Sequence, residues 1–416
     1  MLDYNKAIIS AWCSTRDNDI NEEYCQKVRE CGLNLILTNG MNDSARINEL
    51  LTLCDKYDIS AYVYDTRCYV HDKGLKAQDI DLDALFAPVK DYAHHESFAG
   101  IILHDEPGTN GMAYLETCRQ AFLRLYPDKE PFINLIPMYA NAGQLQFGAG
   151  ADAIDYYDAD QTLYREHLAE YAKRVTARYL CVDIYPCRMR DGVEELYDGY
   201  LQNINLCARQ ARESGLDLWI MMQSMGWDGD NINGMRYVDE TDMRFQYFCF
   251  MAFGVTNFSH FCYHSPWERD SDHGMVDVSG RPRNTYYYGR RIHGEIRRLE
   301  NVYLAYKNVG AYNVSERKEL PYMHFSEQFA GFDGIRVTCD EPLTVGCFEK
   351  KVGAGKALAI VNMTDLHERK TVEARIYTDA ELTAYPAGVP MKLGREADGG
   401  YRLVLPCGEG MFVTAE

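Results

Sequence analysis

Apolar and polar positions along the first three-quarters of the chain fall into two alternating textures. Eight runs are dominated by apolar residues: AIISAWCS (7–14), LNLILTNG (33–40), ISAYVYD (59–65), FAGIILHDE (98–106), PFINLIP (131–137), YLCVDIYP (179–186), LDLWIMMQ (216–223) and TNFSHFCYH (256–264). Near-continuous apolar runs of this length are the pattern of strands covered on both faces, as in a parallel sheet. Between them the spacing turns helical. Ile47, Leu50, Leu51 and Cys54 recur at i, i+3, i+4 and i+7, as do Leu168, Tyr171, Ala172 and Val175; Ile292, Ile296, Leu299 and Tyr303 form a third such stripe. Three helices end alike, in CGLNLIL, SGLDLWI and FGVTNFS. A Gly just past a helix takes the left-handed C-cap conformation without steric cost. Strand, loop, helix and Gly turn, repeated eight times, predict a closed (β/α)8 TIM barrel over residues 1–305. The nucleotide-binding version of a doubly wound sheet needs a Gly-rich loop after its first strand, and AWCSTRDND has no glycine. After residue 305 the segments GIRVTC, LTVGCFEK, ALAIVN, TVEARIY, LTAYPA, YRLVLP and MFVTAE alternate at period two between glycine turns. They predict an antiparallel β-sandwich domain over 306–416.

In such a barrel, chemistry is carried by the C-terminal ends of the strands. The fourth run ends abruptly: AGIILHDEPG passes from Ile101, Ile102 and Leu103 to His104, Asp105 and Glu106, then Pro107 and Gly108. A strand of this kind delivers a half-desolvated carboxyl to the barrel mouth. Desolvation raises a carboxyl pKa, as suits a proton donor near neutral pH. Side chains alternate along a strand. With Glu106 taken as inward, the terminal inward positions are Trp12, Asn39, Asp65, Arg67, Glu106, Asp183, Tyr185, Gln223 and Tyr263. Polar and aromatic groups on most of the strand ends point to a site there.

Composition narrows the partner. The formal charge of −19 disfavours nucleic acid and anionic membranes and suits a small neutral substrate. Mean hydropathy is −0.38 and the apolar fraction 46%, with no run long enough to span a bilayer. The N-terminus lacks the marks of a signal peptide, and the fourteen cysteines are scattered without a CxxC pair. They read as reduced, buried small residues of a cytoplasmic protein rather than as zinc ligands. No cofactor or metal is expected.

HDEPG at the end of the fourth strand resembles the Asn-Glu-Pro signature of clan A glycoside hydrolases, most in the style of the β-galactosidase-like members. The resemblance covers the barrel and the β-rich domain. It implies that Glu106 is the acid/base and that Asp105 stands where those enzymes carry a sugar-contacting Asn. It also implies that Trp267 resembles the aromatic flooring the sugar site. The seventh strand departs from the pattern: WIMMQSMGW has Gln223 where a nucleophilic Glu is expected. Two carboxyls are usually needed. Asp183, ending an apolar strand in CVDIYP, is the second candidate; Asp65 follows, with Arg67 able to hold it in an ion pair, and Asp228, Glu268 and Asp270 lie in loops. Trp12, Trp227 and Trp267 are candidates for stacking on a sugar face. The reading is a glycosidase with Glu106 as acid and Asp183 as nucleophile or base, and Asp's short side chain favours the longer, inverting separation. A catalytically silent sugar-binding barrel, or a metal-dependent sugar isomerase or epimerase using His104 or His260 beside Glu106 and Asp183, are the alternatives.

Overall fold

The structure is a computed structural model that describes residues 2–16, 19–70, 80–149, 161–227, 234–267, 273–315 and 320–416. Eight parallel strands form one sheet: β1 (Ile8–Ala11), β2 (Leu35–Leu37), β3 (Ser60–Val63), β4 (Phe98–Asp105), β5 (Phe132–Asn134), β6 (Tyr179–Ile184), β7 (Asp217–Gln223) and β8 (Asn257–Phe261). They neighbour one another in chain order, β8 pairing with β1, and a bridge between Leu135 and Val182 closes the ring. The expected barrel is therefore present, and each of the eight apolar runs contains one of its strands.

The helices form because their stripes are apolar and their ends are capped. In α1 (Glu22–Glu30) the Asn21 side chain accepts from the Tyr24 N–H; in α2 (Ser44–Tyr57), Ile47, Leu50, Leu51 and Cys54 are all buried. The ring continues with α3 (Leu82–Phe86), α4 (Met112–Leu125), α5 (Gln161–Arg174), α6 (Tyr200–Ser214), α7 (Glu240–Ala252) and α8 (Asn284–Tyr303). Gly32, Gly215 and Gly254, the three C-terminal glycines, all have left-handed φ, +86°, +67° and +86°.

Inside the barrel, Phe132 stands at the centre of an aromatic plug. Its ring lies 5.2 Å from Tyr62, 5.1 Å from Trp219, 5.9 Å from Tyr179 and 6.0 Å from Trp12. This plug fills the lower barrel, so a ligand reaches only the layer above it.

Tyr306–Val314 opens the antiparallel part as β9, followed by β10 (Arg336–Thr338), β11 (Leu343–Lys350), β12 (Lys356–Asn362), β13 (Val372–Tyr377), β14 (Leu382–Ala384), β15 (Met391–Lys392), β16 (Tyr401–Leu405) and β17 (Gly410–Ala415). One sheet has the order β9-β11-β12-β17-β14-β15 and the other β10-β13-β16. Period-two residues such as Val345, Cys347, Leu358, Ile360, Ala374, Ile376 and Leu403 meet between them. This is the expected sandwich. Its larger sheet lies on α7.

Candidate active site

β4 carries the densest chemistry. His104 points inward, its ring 5.6 Å from Tyr69 and its Nδ1 2.8 Å from the Asp105 carbonyl. Glu106 has φ +53°, in the left-handed region that a side chain makes costly. Two backbone hydrogen bonds hold it there: its N–H donates to the Asn134 carbonyl at 2.8 Å, and its carbonyl accepts from Ala149 at 3.2 Å. Glu106 thus makes the turn that ends the strand. Gly108, with φ −80°, serves a different need: any Cβ there would lie 2.3 Å from the Gly148 nitrogen.

Two carboxyl groups converge on the amide of Asn134 at the end of β5, and a third, Glu106, stands beside them. Its Nδ2 donates to Asp183 Oδ1 at 2.9 Å and to Asp105 Oδ1 at 3.2 Å, while its Oδ1 accepts from the Cys181 thiol at 3.4 Å. The Glu106 carboxyl hydrogen-bonds to Asp183. Burial, then the facing charges of Asp183 and Asp105, push Glu106 well above the usual carboxyl range. Burial and Asp105 raise Asp183 to about 7, against the hydrogen bonds from Asn134 and Glu106. Asp105 is raised by burial, with Asn134 opposing. With Asn134 donating to Asp183 and Asp105 but not to Glu106, the amide favours charge on Asp183 and the proton on Glu106, the arrangement of a proton donor beside a carboxylate base.

The Glu106 and Asp183 carboxyls face each other at hydrogen-bonding range, nearer than the separation expected from the sequence. The left-handed backbone at Glu106 turns its side chain towards β6, and Asn134 ties the two strand ends together.

Aromatic rings wall the same mouth. Tyr185 meets Trp227 edge-on at 5.2 Å and Phe261 at 5.4 Å; Trp267 packs 5.9 Å from Trp227 and 5.8 Å from Phe261. Trp267 is 37% exposed. Tyr139 is half-buried with its hydroxyl enclosed, and that hydroxyl is raised by burial and by Asp183. Arg188 lies over the rings of Tyr139 and Tyr197, at 4.8 and 4.1 Å. It belongs to a hairpin, Cys187–Arg190 with Val193–Leu196, that follows β6.

The sequence-derived residues divide into two groups. Glu106, Asp183, Asp105, Tyr185, Trp227 and Trp267 come together at the mouth, and Trp12 joins them from below, between the aromatic plug and Phe261. Asn39 stands at the rim, and its side chain accepts from Thr15 at 3.2 Å. Others serve the framework and are corrected here. Asp65 is fully buried, gripped by Arg67 at 2.6 Å and by the Tyr92 hydroxyl at 2.9 Å. Tyr62 fills the barrel interior, so the intervening positions of β3 face the helices; the irregular register of β3 on β4 between Ala61 and Tyr62 hid this. Arg67 also bonds Ser44 and acts as Asp65's clamp rather than as a mouth residue. Gln223 is fully buried: it accepts from the Cys187 N–H at 2.8 Å and donates to the carbonyls of Cys187, Met225 and Arg236. It fastens β7 to the hairpin. Tyr263 lies beyond the end of β8, outside the barrel, edge-on to Tyr24 of α1. His260 likewise faces outward, bonded to Tyr247 and His293. Asp228, Glu268 and Asp270 lie outside the described residues.

Asn134, Tyr139, Phe261 and Arg188 escaped sequence reasoning. Asn134 is the one polar residue inside the run PFINLIP and has the parity of Phe132, and that was the available signal. For Arg188 it was the Asp-Gly pair at 191–192 in RMRDGVEE, a hairpin-turn pair. Among the described residues no group of three or more His, Cys, Asp or Glu is placed to hold a metal ion.

No protein-family model matches the chain, and no curated protein matches it in sequence. Solved structures match its fold. A β-galactosidase from Bacillus circulans sp. alkalophilus aligns over 99% of both chains at TM-score 0.57 and 8% identity. A glycoside hydrolase family 5 protein from Bacteroides vulgatus aligns over 98% of this chain and 89% of its own, at TM-score 0.56 and 9% identity. A third structure, described as a glycoside hydrolase, aligns over 98% and 92% at TM-score 0.52 and 10% identity. The chain thus shares its whole architecture, barrel and sandwich together, with glycoside hydrolases of the β-galactosidase and family 5 kinds.

Proposed function

We propose that this chain is a glycoside hydrolase acting on a neutral oligosaccharide or glycoside at the barrel mouth. The observation that carries this reading is the hydrogen-bonded pair of Glu106 and Asp183, one held protonated and the other titrating near neutrality, beside the wall of Tyr185, Trp227, Phe261 and Trp267. Glu106 gives its proton to the glycosidic oxygen, and the aglycone leaves as an alcohol. Asp183 bonds to the anomeric carbon as the glycosidic bond breaks. Water then releases the sugar, with Glu106 taking its proton back. The contact leaves no room for a water between the two groups. Retention, at a separation of about 5–5.5 Å once sugar enters, therefore fits better than inversion. The scattered thiols fit a reducing, cytoplasmic setting. No helix among the described residues is long and apolar enough to cross a membrane.

A panel of chromogenic glycosides, assayed with and without chelator, tests the reading. Turnover that survives chelator and is lost in Glu106→Gln on substrates with poor leaving groups supports it; wild-type rates in that variant overturn the role of Glu106. The silent sugar-binding reading draws on Gln223, whose amide leaves β7 without a carboxyl at its end. It gains if calorimetry finds sugar binding and the panel finds no turnover.

A further inference from the structure

We infer that Asn134 is a positioning residue that decides which carboxyl of the mouth carries the proton, by donating one N–H to Asp183 on β6 and the other to Asp105 on β4. The inference deepens the glycosidase reading and rests on it for its catalytic meaning, but not for its test.

The geometry leaves the amide little choice. An Asn has two donor hydrogens and one acceptor oxygen. Both hydrogens are spent on carboxylate oxygens, at 2.9 and 3.2 Å, and the oxygen takes the Cys181 thiol at 3.4 Å. Turning the amide over would face its oxygen to two acidic groups and its hydrogens to a thiol donor. Asn134 is 2% exposed, and the neighbouring backbone is fixed by the bond from the Glu106 N–H to its own carbonyl. A donor held in this way stabilises the charged form of whatever it touches. It touches Asp183 and Asp105 and makes no bond to Glu106. Crowded carboxyls cannot all ionise, so the proton stays on the one the amide does not reach. The acid is thus selected by a neutral side chain on a third strand.

Other groups also face Asp183. Asp105 ends β4, with His104 before it and Glu106 just after; Tyr139 follows β5, and Tyr185 follows the strand of Asp183 itself. Behind it lie Cys181, Tyr164 of α5 and Cys207 of α6, all raised by burial and so neutral, while on the hairpin side Arg188 lies over the Tyr139 ring. Of these, Glu106 also hydrogen-bonds Asp183, and it does so as the proton donor.

The test is a carbon-13 NMR titration of the full chain labelled at the Asp and Glu carboxyls, with signals assigned from Asp183→Asn, Asp105→Asn and Glu106→Gln. In the wild type, Glu106 should be the last of the three to ionise. In Asn134→Ala the Asp183 midpoint should rise by about one to two pH units, the worth of one hydrogen bond to a charged group. Asn134→Ser, which keeps a single donor, should restore part of the shift. An unchanged Asp183 midpoint in a folded Asn134→Ala protein overturns the inference. So does Glu106 ionising before Asp183 in the wild type, and that arm needs no variant to fold. Where the glycoside panel gives turnover, the acid limb of kcat/KM should move with the Asp183 midpoint. A moved midpoint with no turnover sinks the hydrolase reading and leaves the role of Asn134 standing.

Discussion

At the scale of single residues, proton placement ties activity and stability to pH with opposite signs. Asp183 must be ionised to attack and Glu106 protonated to donate, so kcat/KM should climb as pH rises through about 7 and fall again only where Glu106 ionises. A rate profile that peaks near pH 5 would contradict this order. Stability runs the other way. The folded pKa of Asp183 lies above that of an unfolded Asp, so the folded state binds its proton more tightly. That contribution is fully present below about pH 4 and is lost as pH rises through about 7. Asp183→Asn should therefore stabilise the protein at pH 8 by roughly 1–3 kcal/mol in urea unfolding, with a smaller gain at pH 5, while abolishing turnover. Gln223 shows why a β7 carboxyl is not simply restored. Its buried amide donates to carbonyls of Cys187, Met225 and Arg236. Gln223→Glu would turn those donors into acceptors, should cost about 2–4 kcal/mol in the same unfolding assay, and should yield no new nucleophile. Its place at a strand end was legible in the sequence. Its inward-turned, saturated bonding was not, because the partners are main-chain groups of a hairpin that carries no apolar signature.

That hairpin sets the lesson at the scale of elements. The eight barrel strands were legible because burial on both faces writes a continuous apolar run into each. Cys187–Arg190 and Val193–Leu196 bury only Cys187 and carry four charged residues, so only the turn residues mark them. Asp191 and Gly192 both adopt left-handed φ, +51° and +77°, as a two-residue hairpin turn requires. β9 was hidden differently: its register on β11 slips between Asn308 and Gly310, and the slip breaks the alternation that would have revealed it. The hairpin matters because it holds Arg188 against Tyr139, whose hydroxyl feels Asp183 and Glu106. A guanidinium stacked on rings is worth about 0.5–2 kcal/mol. Arg188→Ala should lower kcat/KM on the best glycoside by about 3- to 30-fold, while melting close to wild type. Arg188→Lys should recover only part, since an ammonium cannot stack as a plane. Equal rates in all three proteins would remove the hairpin from the site.

At the scale of the molecule, the sandwich is bolted to the barrel through α7, the helix that follows β7. Asn308 of β9 donates to the Ala252 carbonyl at 3.0 Å, Arg244 reaches Glu295 at 2.7 Å and Glu409 at 3.3 Å, and Arg369 pairs with Asp239 at the cap of α7. From that cap the chain of contacts runs inward. Asp242 grips Arg236 at 2.7 Å, and the Arg236 carbonyl receives Gln223 at 3.0 Å, so β7 is braced from outside the barrel. The tightest point is Gly346 in β11, where any Cβ would sit 1.9 Å from the Ala252 carbonyl oxygen. Backbone on both sides means neither partner can step aside. Gly346→Ala must push the sheet off α7, and the overpacking should cost about 2–4 kcal/mol. Gly353, in the turn between β11 and β12, supplies the control. It has φ +82° and nothing within 4 Å, so Gly353→Ala meets only the left-handed penalty of about 1 kcal/mol. Calorimetry of the three proteins should show a single wild-type transition, a slight drop for Gly353→Ala, and for Gly346→Ala a large drop with the sandwich melting apart from the barrel. Near-wild-type melting of Gly346→Ala would mean that the sheet does not approach the helix this closely. The brace from sandwich to β7 would then have to be sought in the Arg244 and Arg369 ion pairs alone.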